Sequence, residues 1–315
     1  MNMKSACFTP FQPFKTFAPG ARIPKNLLFY WGIPATLALP TGAVFTRAGT
    51  AYYADVDTNQ QIALANAARF ELDQYLLLES SSTNKVLYSE DGTNWSNLGA
   101  CTFDTSYTFK GLKAARITSG TANWNRVIYY AGALTGAPAG GLRLSCFIDL
   151  TRTTCTLPRI TIRNNTLAQD TLVYFNVTTE TFSYDDLGPG PISDGTYDAA
   201  TGRLSVLFKP VSATDVHSIG IGVYDYAGGG YVTVGAFQIE LQPTTSSYIK
   251  TVGAAVTRAV EALDLSGCTG YAANNETRFT YSDDSTADAD DWDGVLALDK
   301  KYKKVAVYAP GGRPI

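Results

Sequence analysis

Between residues 142 and 241 the chain alternates apolar and polar residues over and over. The segments are LRLSCFIDL (142–150), RITIRN (159–164), TLVYFNV (171–177), RLSVLFKPV (203–211) and HSIGIGVYDYAGGGYVTVGAFQIEL (217–241). A period of two sends successive side chains to opposite faces of a strand. No stretch of comparable length has the 3.6-residue period of an amphipathic helix. The segments are short and divided by turns such as DDLGPGPISDGT (185–196). This pattern excludes helical bundles and alternating strand–helix folds. It predicts an all-β chain, an antiparallel jelly-roll β-sandwich with an extended N-terminal arm and a small C-terminal β appendage. The expected boundaries are 1–44 for the arm, 45–262 for the jelly roll and 263–315 for the appendage. Composition agrees: Tyr (19), Phe (15) and Gly (28) are plentiful, and only 17 % of residues are charged.

Local readings follow from the same logic. The glycines at 228–230 read as the turn of a hairpin. AGGGY (227–231) has neither the lysine nor the helix of a phosphate-binding loop. In AFQIE (236–240), Phe237 and Ile239 are expected to point inward, with Gln238 and Glu240 outward. Pro243 then ends strand pairing, and TTSSY (244–248) offers hydroxyls to backbone groups. QQIALANAARFELDQY (60–75) fits a short helix or further β structure, and YLLLES (75–80) is a buried-strand run. In the appendage GVLAL and KVAVYA flank the basic run KKYKK (300–304), predicting a hairpin with a basic turn.

The N-terminal segment raises a separate problem. Phe8, Phe11, Phe14 and Phe17 recur every third residue, with Pro10 and Pro13 between them. Three residues per turn is the period of polyproline II, which would line the four rings along one edge. Each well-buried ring contributes roughly 1.5–3 kcal/mol. The segment is therefore expected to be a docking arm for another chain.

The residues set limits on chemistry. Net charge is −3, which gives no reason to expect nucleic acid. No apolar run is long enough for a membrane-spanning helix, so no insertion is expected. The single histidine, His217, has no nucleophile elbow or second histidine around it, so no catalytic residue is assigned. Asp185 and Asp186 lie in a Gly/Pro turn and read as solvated, not as a glycosidase pair. Six aspartates lie between 283 and 293. An EF-hand register fails there, because Ala289 and Lys300 stand where acidic ligands belong. Calcium outside that motif is a candidate; otherwise no cofactor is implied, and a solvated acidic loop is the expected state. The five cysteines form no CxxC pair, and an odd, widely spaced set suits thiols made in a reducing compartment. Cys146 and Cys155 are placed to face each other across a hairpin. Trp95, Trp124, Tyr129, Tyr130, Tyr224 and Tyr226 are the aromatic candidates for sugar stacking. Trp124 with Arg126 in NWNR, and Tyr224, Asp225 and Tyr226 in YDY, form the expected glycan-binding set.

Two further stretches carry a resemblance. One is Thr83, Asn84, Ser89, Glu90, Asp91 and Trp95. The other is Gly235, Gln238, Glu240, Pro243, Thr245, Ser246, Ser247, Tyr248 and Ile249, followed by Thr257 and Arg258. With FTRA (45–48) echoed by VTRA (256–259), they make residues 45–263 resemble virion proteins of tailed bacteriophages. These are tail-fibre, adhesin and capsid-decorating types with a carbohydrate-binding-module-like jelly roll. Lys250, Lys85 and Gly92 depart from the pattern, standing where proline, leucine and an aromatic residue are usual. The resemblance implies a non-enzymatic virion component made in the cytoplasm of a bacterial host. It would be a homo-oligomer, a trimer first, joined to other virion proteins by its arm. It would be a short fibre, spike or adhesin touching host-surface polysaccharide, or else a purely architectural subunit.

Overall fold

The computed structural model describes residues 27–32, 37–72, 74–98, 101–120, 126–134, 140–185, 192–210, 212, 214–224, 229–269, 271 and 275–309. Regular structure within them is β, apart from two single 3-10 turns, Gly92–Asn94 and Leu150–Arg152. The chain is all-β, and 60–75 falls on the β side of its open reading, with strands at Gln60–Ala63 and Arg69–Glu71. No helix among the described residues is long and apolar enough to cross a membrane.

The chain divides into two units. The larger takes 48–65 and 80–260; the smaller takes the described parts of 1–47, 66–79 and 261–315. The division is thus discontinuous, whereas the sequence suggests cuts near 45 and 263.

Twelve strands make the two main sheets of the larger unit: β1 (Ser96–Leu98), β2 (Thr102–Phe109), β3 (Leu112–Thr118), β4 (Arg126–Leu134), β5 (Leu142–Ile148), β6 (Pro158–Asn164), β7 (Gln169–Asn176), β8 (Thr181–Asp185), β9 (Ile192–Asp198), β10 (Arg203–Phe208), β11 (His217–Val223) and β12 (Tyr231–Glu240). The first sheet runs β9-β10-β5-β12-β3-β2 and the second β8-β7-β6-β11-β4-β1, every neighbour antiparallel. One core serves both inner faces: Leu144, Val234 and Phe237 from the first sheet pack with Ile160, Phe175 and Ile221 from the second. Non-directional burial of this apolar surface is what holds the two sheets together.

The glycine-rich segment is not a hairpin turn. β11 and β12 lie in different sheets, each with partners on both edges, β6 and β4 for one, β5 and β3 for the other. With both edges used, neither strand has backbone groups left to pair with the other. Cys146 and Cys155 likewise do not face across a hairpin. β5 and β6 belong to opposite sheets, and both cysteines remain thiols.

A bulge in β12 changes the parity of its pattern. Val232 and Val234 face the core, then Phe237 and Ile239 do. Ala236, at φ 53°, is the extra residue where the register against β5 shifts. Gly235 beside it must lack a side chain, since a Cβ would sit 2.4 Å from the Lys113 carbonyl oxygen. Gln238 and Glu240 do lie on the outer side, but they are fully buried, not solvated, beneath the tail that follows.

In the smaller unit one sheet runs Thr286–Asp290, Glu276–Tyr281, Lys300–Tyr308, Tyr75–Leu78, Arg69–Glu71. Leu27–Gly32 also pairs with Lys300–Tyr308, so that part of the expected 1–44 arm is a strand. KKYKK opens that central strand and is not a turn. Tyr302 and Val305 are buried, while Lys301 and Lys303 meet Glu71 and Asp284 on neighbouring segments. The acidic stretch is not simply a loop either: Thr286–Asp290 is an edge strand, and Arg278 grips Asp288 through Nε and Nη2 at 2.8 and 3.0 Å. Leu76, Leu78, Leu263, Phe279, Trp292 and Val307 form the core.

Four buried charges close this unit. Arg47 Nη1 donates to Glu261 Oε1 at 2.7 Å, and Arg69 Nε to the same oxygen at 2.8 Å. Arg69 Nη2 donates to both Glu261 Oε2 and Glu79 Oε2. Burial alone would lower the Arg69 pKa, but Glu79 and Glu261 outweigh it and the pKa is raised. The unit's three segments begin or end at this cluster: Arg47 ends the first, Glu79 ends the second and Glu261 opens the third.

Candidate functional site

The outer face of the second sheet gathers an aromatic–arginine cluster. Ile219, Ile221 and Val223 of β11 point into the core, so Ser218, Gly220 and Gly222 point away from it. Ile160 and Ile162 do the same for Arg159 and Thr161 on β6, and Val173 and Phe175 for Tyr174 on β7. Pairing register places the backbones of Arg126, Gly222, Arg159 and Tyr174 in one row across four strands. Tyr224, just past β11, is held by its N–H to the Leu157 carbonyl at 3.3 Å. Its ring meets that of Tyr174 edge to face, centroids 5.0 Å apart, and the Arg159 guanidinium lies 5.8 Å from its centroid. Both tyrosines are half-buried and Arg159 is buried. Ring faces and guanidinium donors side by side suit a ligand with C–H faces and hydroxyls.

Of the expected glycan set, Tyr224 and the Arg126 backbone come together here. Trp124, Asp225 and Tyr226 lie outside the described residues, as do Phe8, Phe11, Phe14 and Phe17. Arg159 and Tyr174 were not singled out from sequence. They stand 65 and 50 positions from Tyr224, and only strand register joins them. Trp95 is a core residue: its ring is buried edge-on to Phe237 at 5.2 Å, and its Nε1 donates to the Tyr88 carbonyl at 2.8 Å. His217 is buried beside Phe208, its ring 5.2 Å away, and Asp215 accepts a bond from Asn164. Asp185 ends β8, and Asp186 lies outside the described residues.

The acidic stretch does not converge. Asp283 accepts from Ser285, Asp284 from Lys303, Asp288 from Arg278 and Asp293 from the Val295 N–H. Among the described residues no group of three His, Cys, Asp or Glu could hold a metal.

Several of the residues behind the resemblance, among them Asn84, Glu90, Gln238, Glu240, Ser246 and Tyr248, form a buried polar network in the larger unit. Asn84 donates to the carbonyls of Phe237 and Ile249 at 2.9 and 2.7 Å, and accepts from the N–H groups of Val86 and Ile239 at 3.0 and 3.1 Å. Glu240 accepts from the Ser82 hydroxyl and from the N–H and hydroxyl of Ser246. The Ser246 hydroxyl thus serves a carboxylate as well as the backbone, with the Ser247 carbonyl at 3.1 Å, and the Thr245 hydroxyl pairs with that of Ser205 at 2.7 Å. Gln238 accepts from the Ile249 N–H at 2.7 Å. Tyr248 donates to Glu90, and burial, then Glu90's charge, raises its pKa well above the ordinary value. The departures have physical counterparts. Lys250 pairs with Glu90 at 3.0 Å, and a Cβ on Gly92 would crowd Thr105, Ala115 and Trp95 at 3.1 to 3.3 Å. A cleft of about 360 Å³ opens beside the tail, lined in part by Tyr52, Tyr248, Lys250, Thr257 and Arg258.

Burial also governs the thiols. It pushes Cys146 up to about 12 and Cys101 and Cys268 up to about 11. At pH 8 these groups are protonated and poor nucleophiles. Iodoacetamide at pH 8 should therefore leave Cys101, Cys146 and Cys268 unmodified in the folded chain, and Cys155 through its burial alone, and label all four in guanidinium. Peptide mass spectrometry reads the result; labelling of any of them at the unfolded rate would contradict the packing described.

No protein-family model matches the chain, and no curated protein matches it.

Proposed function

We propose that the chain is a non-enzymatic structural component of a phage particle, a short fibre, spike or adhesin subunit that contacts host-surface glycan. The jelly-roll reading is supported by nested pairing. Among eight strands of the larger unit, β3 pairs with β12, β4 with β11, β5 with β10 and β6 with β7. First meets last and fourth meets fifth, the order produced when one long hairpin is rolled into two sheets. The phage assignment rests on the resemblance over 45–263. In this reading the Phe8–Phe17 edge docks on other virion proteins, and several copies act together as a homo-oligomer.

The observation that carries glycan contact is the Tyr174–Tyr224–Arg159 cluster. One shallow site binds feebly, so affinity comes from several copies on one particle. The test is binding of the multimerised protein to a panel of immobilised bacterial surface polysaccharides. Wild type should bind at least one, and Tyr224→Ala should weaken it about tenfold, ~1.4 kcal/mol. No binding by wild type would leave the architectural reading, in which the two sheets serve only packing. That second reading has its own support: every residue of β11 is buried, outer face included.

A further inference from the structure

The outer face of the first sheet holds a second, independent cluster. Ala115 and Ile117 of β3 point into the core, so Arg116 points out. Its guanidinium carbon lies 4.3 Å from the ring centroid of Tyr107 on β2 and 4.1 Å from that of Tyr231 on β12. Arg152, in the 3-10 turn after β5, is a second cation over Tyr107 at 5.7 Å. Its side chain is half exposed, with Asp149 Oδ2 at 3.7 Å. The 3-10 turn is fixed to the sheet by the Thr233 hydroxyl, which donates to the Arg152 carbonyl.

Two rings against one guanidinium matter because the group is planar. Its N–H donors lie in its plane, so a guanidinium packed against rings keeps its edge for hydrogen bonds. The Arg116 side chain donates no hydrogen bond to a described residue; its Nε is shut off from solvent, so the edge it offers outward is the Nη1–Nη2 pair. The edge is therefore held in place and unspent. Such an edge fits two oxygens of a carboxylate or phosphate side by side. Asp104 stands opposite Arg116 in the β2 register, close enough for the two charges to act on each other. Its Oδ1 already accepts from the N–H and hydroxyl of Ser106 at 2.9 and 2.6 Å, which hold the carboxyl below its usual range. Around the cluster β2 exposes Thr102, Thr105, Ser106 and Thr108, an edge strand rich in hydroxyls. The face is open, and an isolated exposed ion pair gains little. A polymer carrying both anions and hydroxyls can make several contacts at once.

We infer that Tyr107, Arg116, Tyr231 and Arg152 form an oxyanion-binding site for an acidic polysaccharide, taking its carboxylate or phosphate on the Arg116 edge. The site does not depend on the Tyr224 cluster or on the virion assignment. The chain's net charge of −3 argues against general attraction of polyanions, so binding should be local to these residues.

The experiment titrates the full chain with oligogalacturonate, phosphorylated dextran and neutral dextran at one ionic strength, by calorimetry. One acidic oligomer should bind and neutral dextran should not; which one binds separates carboxylate from phosphate. Arg116→Lys keeps the charge but loses the fork, and should weaken binding about tenfold. Arg152→Ala, at an exposed position, should weaken it about threefold, within the range for an exposed charge pair. Failure of both acidic oligomers to bind wild type, or equal binding of neutral dextran, overturns the proposal. So does unchanged binding in a folded Arg116→Lys protein. If that variant does not fold, wild-type affinity in Arg152→Ala overturns it instead.

Discussion

Replacing Glu261 with Gln is expected to cost the smaller unit about 3–5 kcal/mol, the range for breaking a buried ion pair on one side. The four charges of the cluster, Arg47, Arg69, Glu79 and Glu261, sum to zero, and Arg47, Arg69 and Glu261 are at most 1 % exposed. Glu261 touches both arginines, and its Oε2 also accepts the Glu79 N–H at 2.9 Å. The substitution keeps the shape but leaves two guanidiniums with one carboxylate, and presents amide hydrogens to donors. Buried donors facing donors lose their desolvation with no return. Glu79→Gln should cost less, because the Glu79 side chain is 9 % exposed where that of Glu261 is 0 %, so less of its charge is desolvated. Native-state hydrogen exchange separates the units: amides of Lys300–Tyr308 should lose protection by about the stated free energy, while those of β12 keep theirs. Unchanged protection over 300–308 would mean the cluster contributes little and that its geometry is incidental to stability.

Strand content and core positions were legible because burial on one face leaves a period of two, and most inward residues of β5, β6, β7 and β10 follow it. What escaped has physical causes. In β12 the bulge at Ala236 shifts parity midway, so simple alternation misplaces neither half but hides the join. The step from β11 to β12 looks like a hairpin because a triple glycine suits a tight turn equally well when it carries the chain between sheets. KKYKK reads as a turn because charge suggests exposure. In the folded chain its lysines find Glu71 and Asp284 while Tyr302 is buried between them in sequence. The discontinuous smaller unit escaped because the run around Leu76–Leu78 carries no sign of which strand it will pair with. The candidate sites were half legible for the same reason. Tyr224 stands out as an aromatic in a Gly-rich strand, but Arg159, Tyr174 and the Tyr107–Arg116–Tyr231 clasp come from residues far apart in sequence. An arginine flanked by core-facing Ala115 and Ile117 was the available signal for the clasp.

Asn84→Asp should destabilise the larger unit by about 4 kcal/mol at pH 7, through two stranded carbonyls at roughly 1–3 kcal/mol each. Asn84 is fully buried and uses all of its side-chain capacity, two donors and two acceptors. Its partners belong to separate stretches: Val86 just after its own strand, Phe237 and Ile239 on β12 beyond the bulge, and Ile249 in the tail. The amide therefore fixes the tail against β12 at the point where the parity of that strand changes. Aspartate has the same shape, so no cavity forms and the loss is electrical. The two accepted bonds survive, but the Phe237 and Ile249 carbonyls lose their donor and face a carboxylate oxygen. Burial and those carbonyls disfavour the charged form, so the introduced carboxyl has a folded-state pKa above its unfolded one. The folded variant then binds more protons than the unfolded one, and its stability falls as pH rises through that interval. Lowering the pH should thus recover part of the deficit, because a protonated carboxyl supplies one donor again. Guanidinium denaturation of wild type and variant at pH 7 and pH 5 measures both effects. A deficit below about 1 kcal/mol at pH 7, near the net value of a single ordinary hydrogen bond, would show that the tail does not hang on this amide. A deficit that grows as pH falls would show that the introduced group remains charged and solvated, which the burial of Asn84 does not allow.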